Sequence, residues 1–358
     1  MHVKSELLHS MRAITVLPGV PNSARLDDIA EPPFDDGGIL VRTLALGVCG
    51  TDREIVAGDY GDAPPGSERL VLGHESFGSV IEAPPSSGFA PGDLVVGIVR
   101  RPDPEPCPAC ASGEWDMCRN GQYTERGIKA RHGFGAERFR VEPEFAVKVD
   151  PTLGDLGVLM EPASIVAKAW DHIGRIGRRF NSWQPKKLAV TGSGPIGLLA
   201  GLLGMQRGYE VHVLDRGRDQ SKVAMIRDLG ASHHAGSIDE LGFAPDIIIE
   251  CTGAPSVIAS VLGRTAPSGI VCLAGIGGDH KATFDIGRFN RVAVLDNDVV
   301  FGVVNANRMH YEMAAHALMI ADRDWLGRII SRRVPLSRWH EALEHRAGDI
   351  KVVVDFTI

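Results

Sequence analysis

A glycine pattern near the middle of the chain constrains the fold more than any other feature. Gly192, Gly194 and Gly197 form a G-x-G-x-x-G sequence between an apolar run, Leu188–Thr191, and a second apolar stretch long enough for a helix. The first glycine permits a tight turn, the second lets another group approach the backbone, and the third allows the helix to pack closely on the strand. The pattern therefore predicts a strand–turn–helix unit.

Strands and helices alternate after this unit. Apolar runs predict strands, and apolar residues at helical spacing predict a helix at Ser221–Leu229 that ends at Gly230. The predicted strands are Glu210–Leu214, Asp246–Glu250, Ile270–Ala274 and Val299–Val304. Such alternation predicts an α/β fold with a doubly wound parallel sheet.

The remainder of the chain has a different pattern. Short apolar runs at Ile39–Leu46, Val80–Ile81 and Leu94–Val99 are separated by Gly/Pro-rich turns, which indicates a β-rich first part. A helix is expected at Glu161–Ile173, and the mixed segment from about residue 306 ends in a strand, Lys351–Thr357. We therefore expect two differently built domains.

The glycine pattern is typical of dinucleotide binding. The helix that starts at Pro195 and Ile196 would offer free N–H groups to a pyrophosphate. Asp215 ends the next predicted strand, 18 residues beyond Gly197. Its carboxylate would accept hydrogen bonds from ribose hydroxyls and repel a 2′-phosphate, which favours NAD. The alternative interpretation is an ordinary glycine turn with Asp215 as a turn or capping residue.

Two neighbouring features bear on the same cofactor. Arg216 and Arg218 are able to pair with a 2′-phosphate, so NADP stays open, although solvated loop charges are the simpler interpretation. Thr252 lies at a later strand end, where a dinucleotide would rest, or in an ordinary strand-end turn.

Potential metal ligands occur in three separate segments. Cys49, the adjacent pair His74 and Glu75, and Glu161 offer thiolate, imidazole and carboxylate groups. A catalytic zinc needs three such protein ligands and one open position, so Cys49, His74 and either Glu75 or Glu161 would suffice. Taken singly, these residues also suit a buried thiol, a structural histidine and a helix N-terminal acid.

A second cysteine cluster lies in a polar, Pro-rich loop. Cys107-x2-Cys110-x7-Cys118 offers three thiols, and Asp103, Glu105 or, less well placed, Asp116 would add an oxygen ligand. The alternative is a metal-free loop. Three clustered and three dispersed cysteines suit a reducing cytoplasm better than a disulfide framework.

Composition excludes several classes of protein. The chain has 358 residues, 44% of them hydrophobic, and a formal net charge of -7. No basic patch indicates nucleic-acid binding. No apolar run is long enough for a membrane span, and Met1–Ser10 does not resemble a secretory signal. We therefore expect a cytoplasmic protein with a small-molecule substrate.

The order of these motifs resembles a known superfamily. Cys49-Gly50-Thr51-Asp52, Gly73-His74-Glu75, the Gly92–Val95 turn and the later glycine pattern are similar to those of medium-chain zinc-dependent alcohol dehydrogenases. Arg100–Pro102, Gly121–Ile128 and Val303–Asn307 resemble the glucose 1-dehydrogenase group of that superfamily.

The resemblance implies a domain organisation. It places a Rossmann domain at 176–305 and a β-rich, GroES-like catalytic domain at 1–175, completed by 306–358. It also implies a homodimer or homotetramer joined through Asn297–Val304. The cysteine loop resembles the superfamily's structural zinc lobe, but Pro104 stands where a first cysteine is expected.

The resemblance also implies an activity. A zinc-dependent oxidoreductase would transfer a hydride from the anomeric carbon of a D-glucose-like aldose to NAD(P), giving an aldonolactone. Thr51 would relay the hydroxyl proton, and Glu125, Asn305 and Asn307 would contact sugar hydroxyls. Otherwise these last three are a salt-bridge partner and two turn residues. The alternatives are a polyol, cyclitol or secondary-alcohol dehydrogenase, or a nucleotide-binding protein without catalysis.

Overall fold

The structure is a computed structural model that describes residues 10–217, 219–278 and 281–358. Arg218 and most of the N-terminal segment considered as a secretory signal lie outside the described residues. The strands are β1 (Ser10–Val16), β2 (Arg25–Ala30), β3 (Ile39–Val48), β4 (Leu70–Val71), β5 (Glu75–Glu82), β6 (Leu94–Gly97), β7 (Arg100–Arg101), β8 (Thr124–Arg126), β9 (Ala130–Arg131), β10 (Arg138–Val141), β11 (Ala146–Val149), β12 (Lys187–Thr191), β13 (Glu210–Leu214), β14 (Ser232–His234), β15 (Ile247–Glu250), β16 (Ile270–Leu273), β17 (Val299–Gly302), β18 (Ile330–Pro335) and β19 (Lys351–Asp355). The helices are α1 (Gly50–Ala57), α2 (Pro108–Ala111), α3 (Met160–Gly177), α4 (Pro195–Gln206), α5 (Gln220–Asp228), α6 (Pro255–Val261), α7 (Ile286–Asp296), α8 (Arg308–Met319) and α9 (Arg323–Ile329).

A parallel sheet forms the second half of the chain. Its strand order is β14-β13-β12-β15-β16-β17, and every neighbouring pair is parallel. The doubly wound sheet predicted from the glycine pattern is confirmed. The order reverses between β12 and β15, and in such sheets this switch point opens a crevice at the carboxyl ends of the strands.

The first half builds a mixed sheet around β3. The order is β11-β6-β5-β3-β19-β18, and β10 also pairs with β3. The last strand of the chain therefore joins the sheet of the first half, where Val353 lies opposite Gly47. This pairing carries the chain's end to the neighbourhood of Cys49.

Strand β5 is longer than the sequence indicates. The apolar pair Val80–Ile81 predicts only its last part, because Ser76, Gly78 and Ser79 interrupt the pattern. A Cβ atom at Gly78 would lie 2.5 Å from the Arg42 carbonyl oxygen of β3, so the close pairing of these strands requires glycine. The extra residues matter because they place Glu75 at the start of a strand.

Strand ends at the crevice come earlier than predicted. β16 ends at Leu273 and β17 at Gly302, one and two residues before the ends expected from the apolar runs. The residues that follow are loop residues at the carboxyl edge of the sheet. Among the described helices, none combines the length and the apolar character that crossing a bilayer would require.

Candidate active site

A cavity of about 350 Å³ lies where the mixed sheet meets the carboxyl edge of the parallel sheet. Its walls contain nine of the residues singled out from the sequence. From the first half they include Cys49, Thr51, His74, Glu75 and Glu161, and from the second half Pro195, Ile196, Thr252 and Asn305. The structure thus brings the expected metal ligands and the expected dinucleotide turn to one place.

Three of the expected ligands are in mutual reach. The ligand atoms of Cys49, His74 and Glu75 all lie within 4.8 Å of one another, and the Cys49 Sγ is 3.2 Å from the His74 Nε2. Cys49 is held because it lies directly between β3 and α1, while Glu75 begins β5. The side chain of Glu161, in the first turn of α3, lines the same cavity without belonging to that group of three.

Asp52 orients two of these residues. One carboxylate oxygen accepts the Cys49 N–H at 2.9 Å, and the other lies 3.5 Å from the His74 Nδ1. A carboxylate behind an imidazole fixes the ring so that its other nitrogen faces the metal position. Burial lowers the pKa of His74, but the neighbouring Cys49 and Asp52 side chains outweigh this effect and raise it well above its usual value.

The two carboxylates have different partners. Glu75 accepts two hydrogen bonds from the Lys351 ammonium, at 2.7 and 2.6 Å, and both side chains are buried. Glu161 has no hydrogen-bond donor among the described residues. Burial, and then the nearby Glu75 carboxylate, raise the pKa of Glu161 to about 7.

This chemistry fits a bound zinc ion. A thiolate, an imidazole and a carboxylate are the ligand types that zinc prefers. Cys49, Glu75 and Glu161 bring three groups capable of negative charge into a buried space, with one ammonium to offset them. A divalent cation would remove the repulsion that raises the pKa of Glu161.

The glycine turn has the geometry that a pyrophosphate needs. Gly192 has φ +90°, and a Cβ atom at Gly197 would lie 1.9 Å from the Gly192 carbonyl oxygen. A Cβ atom at Gly194 would meet no described atom within 4 Å. Gly192 and Gly197 are therefore needed for the turn itself, whereas Gly194 leaves open space at the N-terminus of α4.

Two alanine substitutions should separate these roles. We expect Gly197→Ala to lower the melting temperature, because its Cβ atom overlaps backbone. Gly194→Ala should leave the melting temperature unchanged but weaken NAD binding by about tenfold, since a methyl group would displace the pyrophosphate by a fraction of an ångström. Thermal melting and fluorescence titration with NADH measure the two effects. Unaltered affinity in Gly194→Ala would contradict this assignment.

Asp215 and Thr252 occupy the strand ends predicted for cofactor contact. The Asp215 carboxylate accepts a hydrogen bond from the Ser193 hydroxyl and another, at 2.8 Å, from the Gly217 N–H. Thr252 donates to Glu250, a fully buried carboxylate that also accepts the Gly253 N–H at 3.1 Å. Arg216, which follows Asp215 in the chain, is exposed.

The three expected sugar-binding residues differ in their position relative to the cavity. Glu125 is buried, accepts two hydrogen bonds from Arg100 at 3.1 and 2.9 Å, and accepts another from the Asn305 amide. Asn305 lines the cavity, whereas Glu125 lies behind it. Asn307 is not brought to the cavity, because its Oδ1 caps α8 and its amide donates to Asp116 at 3.0 Å.

The cysteine loop also gathers its ligands. The sulfur atoms of Cys107, Cys110 and Cys118 lie within 4.8 Å of one another. Backbone N–H groups, that of Arg119 foremost, lower the pKa of Cys107 to about 6. Asp103 is buried, and its Oδ2 has no hydrogen-bond partner among the described residues.

Sequence reasoning did not assign Lys351, Asp52 or Glu250 a role. Asp52 belongs to the Cys49–Asp52 motif, so the sequence did contain a signal that Asp52 lies close to Cys49. Lys351 stands before the apolar run of β19, which by itself indicates only a strand end. Glu250 ends β15 and looks in sequence like a solvent-facing acid, although it is fully buried.

Comparisons with known proteins agree with this architecture. The family described as alcohol dehydrogenase GroES-like domain matches residues 35–151, and glucose dehydrogenase C-terminus matches residues 154–356. Glucose 1-dehydrogenase of Methanocella arvoryzae is 39% identical, and glucose 1-dehydrogenase 2 of Vulcanisaeta moutnovskia is 37% identical. Each alignment covers 96% of this chain and 99% of the relative.

A solved structure shows the same fold. Haloferax mediterranei glucose dehydrogenase, in complex with NADP, Zn and gluconolactone, has a TM-score of 0.89 and 32% sequence identity. The match covers 97% of this chain and 100% of that one. The Rossmann sheet and the GroES-like sheet expected from the sequence are confirmed. This chain belongs to the medium-chain zinc-dependent alcohol dehydrogenase superfamily and, within it, to the glucose dehydrogenase family.

Proposed function

We propose that this chain is a zinc-dependent glucose 1-dehydrogenase. It transfers a hydride from the anomeric carbon of D-glucose, or of a similar aldose, to the nicotinamide of NAD(P) and gives an aldonolactone. The observation that carries the proposal is the single cavity shared by Cys49, His74, Glu75 and Glu161 with the turn at Pro195 and Ile196. Relatives named glucose 1-dehydrogenase across nearly the whole chain support the choice of an aldose.

The residues of the cavity have different roles in the proposed reaction. Zinc held by Cys49, His74 and a carboxylate would supply the Lewis acidity that favours loss of the hydroxyl proton. Thr51, which lines the cavity two residues after Cys49, accepts that proton at its hydroxyl and passes it towards solvent. The glycine turn would hold the dinucleotide, whose nicotinamide would supply the hydride acceptor when bound.

Asn305 is suited to orient the sugar. Its amide group donates to Glu125, so the amide is fixed in one orientation. Asn305 lines the cavity, and its Oδ1 accepts no hydrogen bond from the described residues. Arg100 in turn holds Glu125 with two hydrogen bonds. We propose that Asn305 accepts a hydrogen bond from a sugar hydroxyl and that Glu125 and Arg100 hold it in place.

We also propose Glu161 as the third protein ligand. Lys351 already neutralises Glu75, whereas Glu161 is buried without a cation or a hydrogen-bond donor among the described residues. A buried carboxylate without a partner gains most from a metal ion. Glu75 is the alternative, because its carboxylate lies within 4.8 Å of the Cys49 and His74 ligand atoms.

The first experiment measures the initial rate of NADH and NADPH formation with zinc-loaded protein. D-Glucose and D-galactose are compared with myo-inositol and 2-propanol at equal concentration. Turnover of the aldoses supports the proposal. Turnover of only the cyclitol or the secondary alcohol would overturn the aldose assignment. No turnover by protein shown to hold zinc would leave the nucleotide-binding alternative.

The charge of Asp215 should decide the choice of cofactor. We propose NAD as the preferred cofactor, with NADP accepted, because this carboxylate lies at the end of β13 beside the exposed Arg216. Asp215→Asn keeps the shape and removes the charge, so kcat/KM for NADP should rise relative to that for NAD by about tenfold. Steady-state kinetics with both cofactors measure the ratio. Asp228→Asn, at the exposed last residue of α5, is the control, and an equal change for both cofactors would contradict the role of Asp215.

We propose that the cysteine loop binds a structural zinc through Cys107, Cys110, Cys118 and Asp103. Among the acids considered, Asp103 alone is buried with an oxygen that has neither a hydrogen bond nor an ion pair in the described chain. Asp116 is committed to Lys168 and Asn307. The six free cysteines are consistent with the expected reducing compartment.

The domain boundaries stay our proposal. A Rossmann domain at 176–305 contains every strand of the parallel sheet, from β12 to β17. A catalytic domain at 1–175, completed by 306–358, is supported by the pairing of β19 with β3. The cavity lies where the two would meet.

We further propose a dimer or tetramer joined through β17. This strand is at the edge of its sheet, and α7 beside it buries none of its residues. Light scattering should give the mass of two or four chains, and Val300→Lys, on the edge strand, should halve that mass. Val20→Lys, at an exposed position in the first half, is the control. A wild-type mass of one chain would contradict the proposal.

A further inference from the structure

A second cavity, of about 340 Å³, lies in the first half of the chain and shares no lining residue with the first. We call it the arginine cavity, because Arg69, Arg126, Arg138 and Arg140 line it. Three carboxylates, those of Asp27, Glu31 and Asp36, line it as well. It lies beside β1, β2 and β10. Strand β8 separates the two regions, since Glu125 and Arg126 are neighbours in one strand and project to opposite faces.

Arg126 is buried without a carboxylate of its own. Only 4% of the residue is exposed, and its guanidinium donates to the carbonyl oxygens of Arg140, Asp36 and His132 at 2.8, 3.2 and 3.3 Å. Its Nε has no acceptor among the described residues. Carbonyl groups solvate a cation only in part, so the charge remains unbalanced.

The nearest carboxylate is already shared. Glu142 lies 3.7 Å from Arg126 but accepts closer ion pairs from Arg101, at 2.7 Å, and Arg131, at 2.5 Å. No other carboxylate of the described residues is within 4.0 Å of these three guanidinium groups. Three cations thus share one close anion, and of the three only Arg126 lines the arginine cavity. Burial, and then Arg101 and Arg131, lower the pKa of Arg126 well below its usual value.

Among the other arginines of the cavity, Arg69 has Asp27 as a partner and Arg138 has Glu31, whereas Arg140 is only partly satisfied. Arg140 bonds to Glu82 at 2.7 Å, but its Nη1 is buried without a partner in the described chain. Arg138 pairs with Glu31 at 2.5 Å, two positions along β10. Apolar side chains also line the cavity: Met11, Ile29, Val71 and Phe139. A ligand that suits this lining carries an anionic group on an apolar body.

We propose that the arginine cavity binds a small organic anion whose carboxylate or phosphate group is held by Arg126, Arg138 and Arg140. Guanidinium groups recognise both anions through paired N–H donors. The volume is at the lower end of small-molecule sites, which accommodates a ligand larger than a free inorganic ion. The bound anion would balance the charge that the protein leaves on Arg126. The site is separate from the proposed cofactor and substrate cavity.

Three small molecules that share a phenyl ring and differ in their polar group test the proposal. Phenyl phosphate and phenylacetate carry the two anionic groups, and phenylacetamide is neutral. Melting curves are recorded with zinc-loaded protein and saturating NADP, which fills the dinucleotide site. At about 100 times the dissociation constant, an anion that binds the folded state should raise the melting temperature by roughly 3 °C. Shifts with both anions support the shared chemistry, and a shift with only one narrows the ligand to that class.

Variants locate the binding. Arg126→Met removes the unbalanced cation, and Arg138→Gln removes a partly exposed one with less risk to folding. Both should abolish the shift. Arg328→Gln, on α9, breaks a surface ion pair with Asp228 of α5 and should keep the shift. An equal shift with phenylacetamide, or a shift that persists in both cavity variants, would overturn the proposal. Absence of any shift with either anion would do the same.

Discussion

Replacing His74 with alanine is expected to abolish almost all turnover, with a fall in kcat of at least about 10³-fold. The substitution removes the imidazole nitrogen that lies 3.2 Å from the Cys49 sulfur. A catalytic metal lowers the barrier by several kcal/mol, and each 1.4 kcal/mol corresponds to about tenfold in rate. Steady-state kinetics with D-glucose and zinc analysis of the same sample measure the effect.

Zinc content separates loss of the metal from loss of the fold. The wild-type chain should hold two zinc ions, one in the cavity and one in the cysteine loop, and His74→Ala should hold one. His132→Ala is the matched control, because this histidine also lies in the first half and accepts a backbone N–H, from Val71 at 3.2 Å. A His74→Ala protein that keeps both the wild-type rate and two zinc ions would remove His74 from the ligand set.

Local motifs allowed much of this site to be predicted. His74 and Glu75 are adjacent, and the three glycines of the turn lie within six residues. The sequence alone therefore shows that the members of each motif are close together. The strand before the turn was predicted to within one residue, because a fully buried strand is continuously apolar. The meeting of these motifs in one cavity followed from the resemblance to a family rather than from any local pattern.

Contacts between distant residues could not be predicted in the same way. Lys351 and Glu75 are 276 positions apart, and nothing in the sequence of β19 shows that its lysine is buried. Asn307 was expected to contact sugar because α8 was not recognised in the mixed tail. Once a helix begins at Arg308, an asparagine before it is a good N-cap. Sugar contact by Asn307 therefore remains a prediction without geometric support.

A buried ion pair outside the metal site should have the largest effect on stability. Lys168 of α3 bonds to Asp116 at 2.8 Å, with side-chain exposures of 2% and 1%. The same ammonium donates to the Val304 carbonyl oxygen at 3.0 Å, and Asp116 also accepts from the Asn307 amide. The pair therefore joins the cysteine loop, α3 and the segment that carries Asn305.

Lys168→Met is expected to lower the free energy of unfolding by about 3–5 kcal/mol, because it leaves the Asp116 carboxylate buried without a cation. The double variant Lys168→Met/Asp116→Asn should recover most of this loss, since no uncompensated charge remains. Arg328→Met breaks an exposed pair and should cost no more than about 1 kcal/mol. Urea denaturation measures all three. The KM for D-glucose should also rise in Lys168→Met, because the Val304–Asn305 backbone loses its anchor. Equal losses in Lys168→Met and Arg328→Met would show that the buried pair does not stabilise this junction.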